Sequence, residues 1–194
     1  MIGSPERVRA QKGWRHVTGR ALTIEQVLTL LAGTPPRIAA LTDSLTPVQL
    51  RAAPAEPDEW SANGVLAHLR SCADVWGDCI RTILDEDRPT IRAVDPRTWI
   101  RHTDYPDLEF RPSFHAFATQ RTELLTILEP LTPDDWARAA SLTGAGAPLE
   151  RTVLSFAQRL ARHERTHVRQ IDRTVNPVRE AATVIPGTSA SPAG

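Results

Sequence analysis

Residues 149–174 read LERTVLSFAQRLARHERTHVRQIDRT, and this stretch decides the fold. Its apolar residues recur at helical spacing, which predicts one long amphipathic helix that ends before Asn176–Pro177. At ~100° per residue, His163 and His167 lie only ~40° apart on this helix. They share the face that carries most of its apolar side chains, so both imidazoles are predicted to point into the protein.

Two inward histidines four residues apart are typical of a metal site. A buried neutral imidazole costs free energy unless each ring nitrogen has a partner. A divalent cation supplies that partner, and this spacing brings both nitrogens to one ion. On an earlier helical segment His68 shares the inward face with Val65 and Leu69. We therefore predict one divalent metal held by His68, His163 and His167, with positions left open for water or substrate.

The rest of the chain supplies three further helical segments. Together with the first they predict an all-α four-helix bundle, with helices over about 23–44, 61–85, 112–129 and 149–174. Pro35–Pro36 predicts a kink or break in the first helix, and Ser61 is a predicted N-cap of the second. No sustained alternation of polar and apolar residues occurs, so strands are expected to be minor.

A weak internal repeat divides the predicted bundle into two similar halves. Leu45-Thr46-Pro47 follows the first helix and Leu131-Thr132-Pro133 follows the third. In each tripeptide, threonine can cap a short helix and proline can occupy its first position. Each is followed by a loop and then by a helix that carries histidine, so the same order of elements occurs twice.

Glycine and proline set the predicted domain limits. Residues 1–20 are polar and basic and predict a flexible arm, residues 21–175 form the bundle, and residues 176–194 predict a disordered tail. Residues 88–110 predict a long loop that could cover the site.

Charge and cysteine content narrow the setting in which the protein works. The formal net charge is +0 and the pI about 7.0, which gives no electrostatic reason to expect nucleic acid or an anionic membrane as a partner. No apolar run is long enough to span a bilayer. Cys72 and Cys79 would lie about 10 Å apart along one helix, too far for a disulfide. Reduced cysteines fit a cytoplasmic protein.

The pentapeptide His163-Glu164-Arg165-Thr166-His167 also matches the zinc metalloprotease pattern H-E-x-x-H. Such a protease needs a third ligand downstream and a strand edge for its substrate. Few residues follow this motif, most of them in the predicted tail, and no strand pattern is present. We therefore interpret the motif as a metal-binding pair and not as a protease signature.

Two stretches resemble the DinB/YfiT-like family of metalloproteins. Residues 59–69 (EWSANGVLAHL) look like the start of its second helix, and residues 163–171 (HERTHVRQI) resemble its closing H-x-x-x-H-x-x-Q-I helix. The two Leu-Thr-Pro turns fit as well, so the resemblance covers about residues 22–175. It implies a bundle of up-down-down-up connectivity, a three-histidine Zn or Ni site and a homodimer. Family members with assigned activity use low-molecular-weight thiols, among them mycothiol-dependent maleylpyruvate isomerases and thiol S-transferases.

The leading hypothesis is accordingly a metal-dependent transferase that joins a thiol of the mycothiol or bacillithiol type to a small electrophile. A non-catalytic, stress-related metal-binding or scaffold protein is the alternative, and a metal-dependent hydrolase is less favoured. A small-molecule substrate is expected in the first and last cases.

For several residues near the predicted ligands, the sequence leaves two interpretations open. Glu164 is a candidate catalytic base or orienting group, or else a structural glutamate. Gln170 could bond a ligand from outside the metal shell or link two helices. Cys72 could reach the metal but is favoured as a small core residue. His16, His102 and His115 are assigned no role.

Overall fold

The computed structural model describes residues 21–54, 59–144 and 146–183, with side chains to residue 179. Four long helices dominate this part of the chain: α1 (Ile24–Thr42), α3 (Ala62–Asp85), α5 (Phe110–Leu128) and α7 (Val153–Thr183). Three short helices lie between them: α2 (Pro47–Arg51), α4 (Pro96–Trp99), which continues into a 3₁₀ turn at Ile100–His102, and α6 (Pro133–Ala137). The all-α fold class is confirmed. The predicted arm and His16 lie outside the described residues, as do residues 184–194 of the predicted tail.

Local capping chemistry fixes where the helices begin. The Ser61 hydroxyl accepts a hydrogen bond from the Gly64 amide at 3.1 Å and caps α3. Thr46 and Thr132 form capping boxes at the starts of α2 and α6, with proline at the first helical turn of each. The predicted N-cap and both Leu-Thr-Pro turns are therefore confirmed.

The predicted break at Pro35–Pro36 and the predicted helix end before Pro177 are wrong, and the kink expected at Pro35–Pro36 stays a prediction. Helix α1 continues through Pro35–Pro36 without a break, and α7 continues through Pro177 to Thr183. In α1, Leu31 and Ile38 are fully buried on either side of the prolines, so core packing holds the helix together across the missing hydrogen bonds. In α7, Val175 is buried and Val178 packs against the core. Residues 176–183 therefore belong to the last helix and not to a tail.

A small sheet occupies one end of the bundle. It has the order β1 (Thr90–Arg92), β2 (Ala139–Thr143), β3 (Leu149–Thr152). β1 pairs in parallel with β2, Ile91 opposite Leu142, and β2 pairs antiparallel with β3, Leu142 opposite Leu149. The last long helix was predicted to begin at Leu149, but residues 149–152 are strand because they complete this sheet. The predicted 88–110 loop likewise contains β1 and α4.

The four long helices close into a ring. Helix α7 packs against α1 and α3, and α5 packs against the same two helices. Helices α1 and α3 therefore lie across the bundle from each other, as do α5 and α7. This arrangement places the two histidine-bearing helices, α3 and α7, side by side.

A polar layer divides the apolar core into two clusters. On each long helix the residues of one cluster stop where those of the other begin. On α1 the boundary falls between Leu31 and Ile38, and on α5 between Phe117 and Leu124. The side chains at this level are polar on all four helices: Thr34, His68, Arg121, His163, Glu164 and His167. The candidate site lies in this layer.

Candidate metal centre

The three predicted histidines meet in the polar layer. Their Nε2 atoms converge, with His163 in the centre: it lies 3.3 Å from His68 and 3.2 Å from His167. One ring nitrogen from each residue lies within 4.8 Å of the other two, which makes the trio a group able to hold a metal ion. His68 is buried in α3, and His163 and His167 are partly buried in α7.

These separations suit a single ion. A metal–nitrogen distance of about 2.0–2.1 Å places two tetrahedral ligand nitrogens about 3.3 Å apart. The 3.2 Å and 3.3 Å separations agree with that value. The three imidazoles also present the neutral nitrogen donors that Zn²⁺ and Ni²⁺ accept readily. The three histidines are therefore suited to hold one divalent metal ion.

Burial keeps the three imidazoles neutral. It lowers the pKa of His163 to about 2, helped by the neighbouring His167 and His68. It lowers the pKa of His68 to about 4, with His167 and Arg97 acting in the same direction. The pKa of His167 is also lowered by burial, although its hydrogen bond to Gln170 opposes the change. Each ring can thus offer a lone pair near neutral pH.

Gln170 determines which nitrogen of His167 carries the proton. Its Oε1 atom accepts a hydrogen bond from His167 Nδ1 at 2.7 Å. Because a carbonyl oxygen only accepts, Nδ1 is the protonated nitrogen and Nε2 presents its lone pair to the other histidines. A hydrogen bond between Gln170 and a candidate metal ligand was one of the two interpretations that the sequence left open.

Two tryptophans enclose the cluster. The Trp60 ring stacks parallel to that of His167 at 6.4 Å between centroids and meets His68 edge-on at 5.0 Å. The buried Trp76 ring packs edge-on against His163 at 4.9 Å. Trp60 is 37% exposed, so it stands between the cluster and solvent. The sequence signal for this role is its place one residue before Ser61, the N-cap of α3.

Glu164 faces a different part of the polar layer. Its carboxylate accepts a hydrogen bond from Arg121 of α5. Thr34 of α1, whose hydroxyl donates to the Leu30 carbonyl, lies close enough to favour the charged form of Glu164. The side chains of Glu164 and Arg121 are each 1% exposed. Burial raises the pKa of Glu164, while Arg121 and Thr34 oppose that shift. These contacts supply a structural explanation for the glutamate of the H-E-x-x-H motif.

Cys72 lies one turn after His68, and it is 1% exposed. Its sulfur contacts two of the three histidines. Burial raises the pKa of its thiol far above the usual range. Cys79 is partly buried, and both cysteines are free thiols, as the sequence predicted.

The predicted covering loop is fastened to α3. The Ser71 hydroxyl donates to the Pro96 carbonyl at 2.7 Å, and Tyr105 donates to Asp74 at 2.8 Å. Arg97, at the α4 end of this segment, acts electrostatically on all three histidines. That end therefore lies near the cluster. His102 and His115 are exposed and do not join it.

A cavity of about 150 Å³ lies farther along α3. Val75, Cys79, Ile91 and Trp99 are among its lining residues, and the histidines are not. It is therefore separate from the candidate metal centre. No helix in the described part of the chain is long and apolar enough to cross a membrane.

Fold and site together define a four-helix bundle with a three-histidine cluster on two adjacent helices. Residues 30–171 match the model of the DinB superfamily, and the chain belongs to that superfamily. YfiT from Bacillus subtilis, described as a probable metal-dependent hydrolase with an unusual four-helix bundle topology, has a similar solved structure. The match has a TM-score of 0.71 at 17% identity and covers 89% of this chain and 99% of YfiT. No curated protein matches significantly.

Proposed function

We propose that this protein is a metal-dependent enzyme that transfers a low-molecular-weight thiol to a small electrophilic substrate. The observation that carries the proposal is the convergence of the His68, His163 and His167 Nε2 atoms. The expected ion is Zn²⁺ or Ni²⁺. Three neutral ligands would leave its charge available to lower the pKa of a bound thiol and so supply thiolate near neutral pH.

The surrounding residues support this chemistry by holding the histidines in place. Gln170 fixes the tautomer and orientation of His167, which is how outer residues commonly support a metal ligand. Trp60 and Trp76 restrict the tilt of the imidazole rings and limit the access of water. Rings held in this way need little rearrangement when an ion binds, and reactants can approach past the half-exposed Trp60.

The position of Glu164 favours a thiol over water as the nucleophile. Attack by water is commonly assisted by a carboxylate within reach of the metal. Here the carboxylate of the motif bonds to Arg121 instead. A thiol ionises more readily than water, so it depends less on such a base. We propose a thiol of the mycothiol or bacillithiol type, a cytoplasmic location and a homodimer.

Two other functions compete with this proposal. Hydrolysis is the second candidate because the structurally similar YfiT is described as a probable metal-dependent hydrolase. A non-catalytic metal-binding or scaffold role is the third. The transferase, the hydrolase and a metal-binding role all require the metal, and they differ in what the metal accepts from solution.

The first experiment measures metal content. Purified protein should contain about one ion per chain. Elemental analysis should show that His68→Ala and His163→Ala lose it, while His115→Ala, a change at an exposed histidine of α5, retains it. Stoichiometric metal in both of the first two variants would contradict the ligand assignment.

The second experiment tests thiol binding. Co(II)-substituted Cys72→Ser protein, which lacks the nearest internal sulfur, should gain a sulfur-to-metal charge-transfer band when a small thiol is added. His163→Ala treated in the same way should show no such band. If no thiol changes the Co(II) spectrum, the transferase proposal fails. Hydrolysis of an ester or amide by the metal-loaded protein would then support the hydrolase function. Absence of hydrolysis would support the non-catalytic role.

A further inference from the structure

A fourth side chain able to bind a soft metal, that of Cys72, borders the polar layer. The Cys72 sulfur lies 3.6 Å from His68 Nε2 and 3.9 Å from His163 Nε2. These are the nitrogens that face each other across 3.3 Å. Cys72 thus lies beside the point on which the histidines converge, and the three histidines indicate a metal site independently of it.

We propose that Cys72 is a fourth, thiolate ligand of the metal bound by His68, His163 and His167. A zinc–sulfur distance of about 2.3 Å and a zinc–nitrogen distance of about 2.0–2.1 Å place sulfur and nitrogen about 3.5 Å apart in a tetrahedron. The contact to His68 Nε2 agrees with that value and the contact to His163 is slightly longer. The sulfur also lies 4.0 Å from His68 Nδ1, so it stands beside the ring and off the lone-pair direction of Nε2. The sulfur is not part of the group whose atoms lie within 4.8 Å of one another. It must therefore move toward His167 to complete the tetrahedron.

Helix geometry makes this ligation accessible. Cys72 follows His68 by four residues on α3, the spacing that also relates His163 and His167 on α7. Each helix therefore contributes an i, i+4 pair. Ligation replaces the S–H bond with a sulfur–metal bond and releases the proton to solvent. The resulting set of three nitrogens and one sulfur favours Zn²⁺ or Co²⁺ over Mg²⁺ and Ca²⁺.

The inference rests on the proposed metal site and deepens the proposed function. A thiolate from the protein would occupy the position that a substrate thiol needs. The added thiol would then have to displace Cys72 and give its proton to the released thiolate, which restores the three neutral ligands on which the proposed thiol activation depends. Cys72 would thereby restrict the metal to ligands that compete with a thiolate, and thiols do so better than water.

The test uses Co(II)-loaded protein with no thiol added. The wild-type spectrum should contain a sulfur-to-cobalt charge-transfer band that is absent from Cys72→Ser. Cys79→Ser is the matched control because Cys79 lies two turns further along α3 and lines the separate cavity. The control should keep the band. The Zn²⁺ dissociation constant should rise more than about 100-fold in Cys72→Ser, beyond the about 10–100-fold cost of losing an outer-shell partner, and stay unchanged in Cys79→Ser.

X-ray absorption at the zinc edge of the wild-type protein gives the same information without a substitution, should Cys72→Ser fail to fold. One sulfur at about 2.3 Å beside nitrogens at about 2.0–2.1 Å is expected. A shell of nitrogen and oxygen alone, or a charge-transfer band that survives in Cys72→Ser, would overturn the assignment. A cobalt spectrum with d–d bands but no sulfur-to-cobalt band would overturn the assignment of Cys72 as a ligand and leave the three-histidine site intact. Protein that binds no cobalt would refute the proposed function as well.

Discussion

Replacing Glu164 with glutamine should destabilise the protein by about 3–5 kcal/mol, because it leaves the Arg121 guanidinium buried without its carboxylate. Both side chains are 1% exposed, so water cannot replace the lost partner. The pair joins α5 to α7 across the polar layer. Loss of one charge therefore affects two of the four long helices, which lie across the bundle from each other.

An exposed ion pair provides the comparison. Glu150 pairs with Arg88 at 3.3 Å, but the two side chains are 67% and 78% exposed. Glu150→Gln makes the same chemical change in solvent and should cost about 0–1 kcal/mol. At about 2–4 °C per kcal/mol for a chain of this size, the melting temperature should fall by about 6–20 °C in Glu164→Gln. It should hardly change in Glu150→Gln.

A double-mutant cycle separates the pair from its surroundings. Arg121→Met alone should also be strongly destabilising, since it leaves the carboxylate buried. The double variant Arg121→Met/Glu164→Gln should lose less stability than the sum of the single changes, because no unpaired charge remains. Urea denaturation followed by far-ultraviolet circular dichroism, with and without metal, measures all four proteins.

The same variant tests whether Glu164 is catalytic. If its role is structural, Glu164→Gln should keep its metal and its activity at temperatures well below its melting point. A Glu164→Gln protein that is as stable as wild type but inactive would refute this explanation. In that case the glutamate would have to reach the metal site in a way its contact with Arg121 does not suggest.

Three further predictions concern the site and the caps. Gln170→Ala should weaken Zn²⁺ binding by about 10–100-fold in a chelator competition titration, because His167 loses its orienting hydrogen bond. Thr132→Ala should cost about 0.5–2 kcal/mol in thermal unfolding, because it removes the capping box of α6. In metal-free protein, His68 and His163 stay neutral when folded, with pKa values of about 4 and about 2 against 6.5 for the unfolded state. The unfolded chain therefore gains protons that the folded chain does not, and each histidine should cost about 2 kcal/mol of stability between pH 7.5 and pH 5.0 in urea denaturation with a chelator.

Controls and contrary outcomes follow from the same contacts. Gln158 also lies on α7, but it donates to the Leu22 carbonyl, so Gln158→Ala should leave the Zn²⁺ affinity unchanged. If Gln170→Ala bound Zn²⁺ as tightly as the wild-type protein, the contact to His167 would have no influence on metal binding. Thr126 lies within α5 and caps nothing, so Thr126→Ala should be nearly neutral; an equal loss in both threonine variants would contradict the capping explanation. For the pH prediction, His163→Gln should lose the about 2 kcal/mol of pH-dependent change that His163 contributes. Equal pH dependence in wild type and His163→Gln would show that the buried imidazole titrates normally.

Features encoded locally were predictable from the sequence. Ser61, Thr46 and Thr132 begin helices because hydroxyl caps and first-turn prolines act within a few residues. The inward face of α7 follows from helical spacing, which also identified His163, His167 and Gln170. His68 could be added because its own helix has an apolar face with the same orientation toward the core.

Features that depend on distant contacts were not predictable. Pro35–Pro36 and Pro177 were expected to interrupt helices, yet burial of the apolar residues around them outweighs the lost hydrogen bonds. Residues 149–152 form a strand only because β2 lies beside them.

The stretch at residues 149–174 thus determined by itself that two imidazoles point inward. The tertiary structure decided that Glu164, between them in sequence, turns to Arg121, and that Cys72 stands beside His68 and His163. The physical reason is that helical spacing fixes which way a side chain points from its own helix. What it meets there depends on how α1, α3, α5 and α7 pack around the polar layer.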